Sequence, residues 1–363
     1  MYLFFKPIKI KHTCYLLIIL LTCTTSCKDK PESLYPAAED QRINGVQLAN
    51  AFSNAEQIGD LQGLAVARNG VIVAEEYFNN ANPEPDLNLH VMSVTKSITS
   101  TLVGIAVEEG YISSVNQTLS YFLGAEVDTV NPDLGKVTIH QLLTMSCGHD
   151  WHELGGDSEF GAFVNAPDQL NYILDKPVVS IPGSVFNYSD GAAHLVSAVL
   201  TRATGMETSV FADQYLFEPM GLGKRTWYRD NRLVAYGGVG LCIGIHDMLE
   251  IGFMYINNGS YNGQQIVPAN WIEKATSLQI SSNNEIPFLT DYGYYWWLGR
   301  AHGQNFICAN GYGGQFIFIV KDLDLVVCSR CNFRNINTSQ AGQNWYSILD
   351  IIINQVLPAV KEE

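Results

Sequence analysis

Two apolar runs, Leu64-Ala65-Val66-Ala67-Arg68 and Val71-Ile72-Val73-Ala74, stand either side of Asn69-Gly70. An Asn-Gly pair between such runs is a strong hairpin signal, because the tight primed turn needs positive φ at both central residues. A two-stranded hairpin is marginal in water and needs more strands or a helix on its apolar face. The strand-like sequence that could supply them is far away. It returns at residues 294–298, 305–308, 315–320 and 325–328, with Lys321-Asp322-Leu323-Asp324 as the turn between the last two. From about residue 115 to 284 the chain reads as helical pieces and loops. Helices are predicted from 93 to about 110, over 140–147, 191–204, 247–256 and 270–277, and over 343–356 as a closing amphipathic helix. Gly110, Gly148 and Gly205 act as stops. β-rich ends around a helical middle predict an α+β fold: one antiparallel sheet flanked by helices, with an inserted, mainly helical lobe.

The chain has 363 residues, enough for one large domain built from two interleaved lobes. Residues 1–27 read as an export signal. Lys6, Lys9 and Lys11 form a positive start, residues 15–21 an apolar centre, and Thr24-Thr25-Ser26-Cys27 a small-residue stop. That centre is shorter than the about 20 residues a permanent membrane helix needs. Cys27, followed by Lys28-Asp29-Lys30, resembles a bacterial lipoprotein acceptor, which predicts a lipid-anchored or otherwise secreted protein of the cell envelope. Residues 28–42 read as a tether. Residues 43–363 form the folded domain, with a sheet-bearing lobe over about 43–112 and 288–363 and a helical lobe over about 113–287.

The formal charge is −15, and without the three lysines of the signal it becomes −18. Nucleic acid, whose phosphates need Lys and Arg, is excluded as a partner, and electrostatic docking to anionic lipid is disfavoured. Any membrane contact would run through the Cys27 anchor. Cys147, Cys242, Cys308, Cys328 and Cys331 follow no disulfide framework spacing and sit mostly among aliphatic residues, as small buried hydrophobes do.

Ser93 and Lys96 carry the first chemical signal. Three apart on a helix, they share a face, so a hydroxyl and an amine can meet. A serine becomes a useful nucleophile only when a neighbouring base takes its proton. Tyr188, in Asn187-Tyr188-Ser189-Asp190-Gly191 just before a helix, could aim a phenol at the same hydroxyl, although Ser189 or Asp190 there also suits a helix cap. Gly311-Tyr312-Gly313-Gly314-Gln315 precedes an apolar run. Glycines at a strand start mark a turn, and they also let backbone approach a ligand closely.

Taken in order, these stretches resemble the serine β-lactamase-like hydrolases, a family that includes class C β-lactamases, D-Ala-D-Ala peptidases, family VIII carboxylesterases and 6-aminohexanoate-oligomer hydrolases. The resemblance spans about residues 60–330. It also includes His140-Gln141-Leu142-Leu143-Thr144-Met145, Gly237-Gly238-Val239-Gly240-Leu241 and Tyr292-Gly293-Tyr294-Tyr295-Trp296-Trp297. It implies a β-lactamase/transpeptidase-like fold, with Ser93 as nucleophile, Lys96 and Tyr188 as its proton partners, and no cofactor or metal. The backbone N–H groups of Ser93 and Gln315 would form the oxyanion site. Asp190, Trp151, Tyr312, Gly313 and Gly314 would contact substrate. The second motif ends in Asp190 where the family usually has Asn. The third is Tyr312-Gly313-Gly314 where carboxylate-reading members carry Lys-Thr-Gly or His-x-Gly. A site with an added acid and no cation disfavours substrate carboxylates, which points to a small neutral or amine-bearing ester or amide. The alternatives are a D-Ala-D-Ala carboxypeptidase or β-lactamase acting on peptidoglycan-type substrates and, below that, a non-catalytic envelope sensor. A metal hydrolase is disfavoured: His149-Asp150-Trp151-His152-Glu153 lacks the H-E-x-x-H arrangement. No G-x-S-x-G elbow supports an α/β-hydrolase.

Overall fold

A computed structural model describes residues 35–81, 86–87, 89–153 and 158–361. The export signal and Cys27 lie outside the described residues. Eight antiparallel strands form the main sheet: β1 (Leu61–Arg68), β2 (Val71–Tyr77), β3 (Ile280–Ile286), β4 (Leu289–Tyr292), β5 (Trp297–Ala301), β6 (Gln304–Gly311), β7 (Gln315–Val320) and β8 (Leu325–Cys331). Their spatial order is β2-β1-β8-β7-β6-β5-β4-β3. The early hairpin and the late meander therefore share one sheet, joined where Arg68 of β1 pairs with Leu325 of β8. Asn69 and Gly70 adopt φ of 52° and 76°, the primed turn that the sequence predicts.

Two differences in the sheet have clear causes. β3, with the sequence Ile280-Ser281-Ser282-Asn283-Asn284-Glu285-Ile286, is too polar to read as a strand, yet it is an edge strand, where polar residues are normal. The sheet thus takes the chain back at Ile280, upstream of 288. The strand expected from 294 starts at Trp297. Tyr295 turns at φ 61° and donates its N–H to the Leu143 carbonyl at 3.2 Å, so Tyr294, Tyr295 and Trp296 enter the core instead. The tether is also shorter than expected. Residues 36–40 form a helix with Ala38 buried, since Pro36 at its first turn is preset for helical φ.

Helix α1 (Gly45–Glu56) packs on β1, and α5 (Ile245–Ile256) packs on β1, β7 and β8. Covered in this way, β7 and β8 are buried along their whole length. The closing helix is α6 (Thr338–Ile351).

Helix α2 (Val94–Glu108) is buried continuously from Val94 to Ala106, as a helix at the centre of a core must be. Most of its polar residues find partners, although the buried Ser100 hydroxyl has none. Ser97 Oγ donates to the Tyr295 carbonyl (2.7 Å), Thr99 Oγ1 to the Gly237 carbonyl (2.8 Å), and Thr101 Oγ1 bonds the Tyr255 hydroxyl (2.7 Å). In the helical layer, α3 (Ile139–Leu143) begins with a Thr138/Gln141 capping box. Helix α4 (Asp190–Thr204) ends at Gly205 in the left-handed region.

Candidate active site

Ser93 is the last residue before α2, in αR conformation, and its hydroxyl caps nothing. Met92 just ahead of it holds φ at 50°, an uncommon value for a non-glycine residue. The hydroxyl is thus free to face outward, and Lys96 Nζ, one turn on, donates to Ser93 Oγ at 2.9 Å. The same Nζ forms a buried ion pair with Asp190 and donates to the Gly238 carbonyl at 3.2 Å.

Tyr188 and Asp190 arrive on the loop leading into α4. Ser189 Oγ accepts from the Ala192 N–H at 2.9 Å and so caps that helix, leaving Asp190 to turn toward Lys96. Helix cap and site residue are therefore neighbours in one motif. Asn187 fixes the loop from the other side: its N–H donates to the Met145 carbonyl (2.7 Å) and its amide to the Trp151 carbonyl (3.0 Å). The Tyr188 ring stacks on Trp297 with centroids 5.7 Å apart, and Lys96 Nζ lies 4.7 Å from its centre. Burial, and then the Asp190 charge, hold the Tyr188 phenol well above its usual range, while its hydrogen bond with Ser93 acts the other way. Tyr188 is accordingly a neutral phenol at physiological pH.

A cavity of about 320 Å³ opens over Ser93, lined by Glu153, Tyr188, Trp297, Asn310, Tyr312 and Trp345, with Ile286 and Pro287 as an apolar margin. The structure thus gathers Ser93, Lys96, Tyr188 and Asp190, and places Tyr312 at the cavity. Two expected substrate contacts need correction. Asp190 is buried and held by Lys96, so it does not line the cavity. Trp151 is buried beneath, its ring so close to Gly191 that a Cβ there would lie 2.6 Å away, and its indole donates to Glu153 at 2.7 Å. Gly313 and Gly314 have φ of 78° and 102° and shape the β6–β7 turn. The Gln315 side chain is locked onto β8, donating to the Cys331 carbonyl (2.6 Å) and accepting from its N–H (3.1 Å).

Sequence reasoning missed two residues. Gly237-Gly238 was legible only as part of a resemblance, yet Gly238 lets a backbone segment pass directly over the Lys96–Asp190 pair. Glu153 appeared only within a discounted metal cluster. In the structure His149 is committed elsewhere, 2.6 Å from Cys147 Sγ and 2.9 Å from Ser189 Oγ, and burial lowers it to about 4. Among the described residues no group of three or more His, Cys, Asp or Glu side chains is placed to hold a metal, and no helix is long and apolar enough to cross a membrane. The five cysteines from Cys147 onward are buried free thiols.

The Beta-lactamase family model matches residues 37–348, a span that contains every strand of the sheet and the whole Ser93 site. The chain belongs to the beta-lactamase family. It is a serine hydrolase of that family. An uncharacterized protein of Alkalihalophilus pseudofirmus is 24% identical over 316 residues, covering 76% of this chain and 85% of the relative. The Escherichia coli D-alanyl-D-alanine-carboxypeptidase/endopeptidase AmpH is 26% identical over 153 residues, which are 41% of this chain and 39% of AmpH. Among solved structures, a Bacillus anthracis protein assigned by name as a 6-aminohexanoate-dimer hydrolase superposes with a TM-score of 0.70 at 20% identity, over 85% of this chain and 83% of that one. EstCE1, a hydrolase with promiscuous acyltransferase activity, gives 0.68 at 15% identity over 85% and 99%. At these identities the likeness is one of fold.

Proposed function

We propose that the protein hydrolyses a small ester or amide through a covalent acyl-enzyme on Ser93. The observation that carries this reading is the Lys96 amine 2.9 Å from the Ser93 hydroxyl at the floor of a cavity. To act as the base, Lys96 must be the free amine, because only that form can accept a proton. Ser93 Oγ then attacks the carbonyl carbon as Lys96 takes its proton. The developing oxyanion is held by the N–H groups of Ser93, at the start of α2, and of Gln315, whose side chain is tied back and leaves only its backbone to serve. The Tyr188 phenol protonates the departing oxygen or nitrogen. In the second half, water gives a proton to the Tyr188 phenolate, its hydroxide attacks the acyl carbon, and Lys96 returns its proton to Ser93 Oγ.

Ser93→Ala tests this reading. Hydrolysis of p-nitrophenyl acetate or butyrate and labelling by a fluorophosphonate should both vanish while the circular dichroism spectrum persists. Full turnover in that variant would refute the nucleophile. The similarity to AmpH supports a second reading, a carboxypeptidase or β-lactamase activity. Tyr312-Gly313-Gly314 offers no cation for the carboxylate of such substrates, so nitrocefin and D-Ala-D-Ala peptides should be turned over poorly beside neutral esters. A non-catalytic sensor would acylate once and stall. The N-terminal sequence supports export and lipidation at Cys27; radiolabelled fatty acid that still enters Cys27→Ala would rule out that anchor.

A further inference from the structure

The walls of the cavity have an unusual chemistry for a site that must hold a polar substrate. Trp297, Trp345, Tyr188 and Tyr312 are aromatic, and Glu153 is a carboxyl; among the described lining residues none is Lys or Arg. Lys96, below, already serves Asp190. Aromatic rings with an acid among them form the kind of surface that attracts organic ammonium groups, through the negative ring faces and the carboxylate together. The net charge of −15 adds a long-range field of the same sign.

Resting on the reading of this cavity as the acyl-transfer site, we infer that it selects substrates bearing an alkylammonium group, with Glu153 as the residue that reads the charge. Glu153 is held in place for this. Its Oε2 accepts from the Trp151 indole at 2.7 Å and lies 3.5 Å from the Asp190 N–H, and its Oε1 accepts from Ser158 Oγ at 3.3 Å. The charged groups facing it are Asp190 and Lys96, with the Tyr188 phenol alongside. Burial first, and then Asp190, push its carboxyl up to about 8, against Lys96 and the Trp151 hydrogen bond. Around neutral pH it is mostly protonated and tolerates neutral groups. Above that it is ionised, draws a cation and repels a carboxylate. Since a cation favours the ionised form, cation binding tightens as pH rises.

Choline and its neutral isostere 3,3-dimethylbutan-1-ol separate charge from shape, and their binding by calorimetry needs no turnover. Choline should bind at least about tenfold more tightly than the alcohol at about pH 9, and the gap should shrink at about pH 6. In Glu153→Gln the smaller choline preference left by the aromatic rings should be the same at both pH values. Equal binding of the two by the wild type at the higher pH, no measurable choline binding, or an undiminished, still pH-dependent preference in Glu153→Gln would each overturn the inference. Fluorophosphonate labelling of Ser93 in the same samples reports separately on the acyl-transfer reading.

Discussion

Gly238 sits so close to Asp190 that a Cβ on it would lie 2.2 Å from the carboxylate Oδ1, and 3.1 Å from Lys96 Nζ. No side chain fits there unless the buried ion pair moves. Gly238→Ala should therefore displace Lys96 from Ser93, and displacements of this size at a reacting centre cost on the order of 100-fold in rate. Steady-state kcat/KM with a p-nitrophenyl ester checks it; an unchanged value would mean that Lys96 need not be held where it is.

Asp190 and Lys96 depend on each other. Removing one partner of a buried pair leaves an uncompensated charge and costs about 3–5 kcal/mol. Asp190→Ala should lose stability of that order in urea unfolding. The double variant K96M/D190L should regain most of it while remaining inactive, because an apolar pair packs without desolvation cost. Full stability in Asp190→Ala would show that the pair contributes little to the fold.

Acid should weaken the fold through two histidines. Burial lowers both His90 and His149 from 6.5 to about 4. Between those values the unfolded chain takes up protons that the native state refuses, so the stability present above about 6.5 is lost as pH falls toward 4, by up to about 3 kcal/mol for each residue. The melting temperature should drop over this window, and His149→Gln should flatten the slope. A slope unchanged in that variant would assign the effect elsewhere.

Glu153 acts in the opposite sense. Its carboxyl is raised from 4.5 to about 8 in the fold, so from 4.5 upward the unfolded chain releases a proton that the native state keeps. Stability then falls as pH rises through this window, by up to about 5 kcal/mol. Glu153→Gln should melt higher than wild type at about pH 8.5 and nearly the same at about pH 5. An equal difference at both pH values would contradict the shift.

The parts of this site that the sequence revealed are those built on regular elements. Ser93 and Lys96 meet because a helix brings i and i+3 together, and Tyr188 was placed by its position before α4. The hairpin was legible because Asn69-Gly70 dictates its own turn. Polar β3 was not, since its strand character comes from its neighbour β4 rather than from its own residues. Glu153 and Gly238 were hidden for a related reason. Each owes its role to loops that cross in space, from positions 57 and 142 residues away from Lys96, and no periodicity marks such a crossing. Trp151 and Asp190 were recognised as site residues, but their partners, Glu153 and Lys96, decided what they do.

The most direct test of the central claim is mass spectrometry of the protein quenched during turnover of p-nitrophenyl butyrate. A butyryl adduct on the peptide carrying Ser93, absent in Ser93→Ala, is the predicted result. Sustained hydrolysis with the adduct on another residue, or with wild type and Ser93→Ala equally active, would contradict the account.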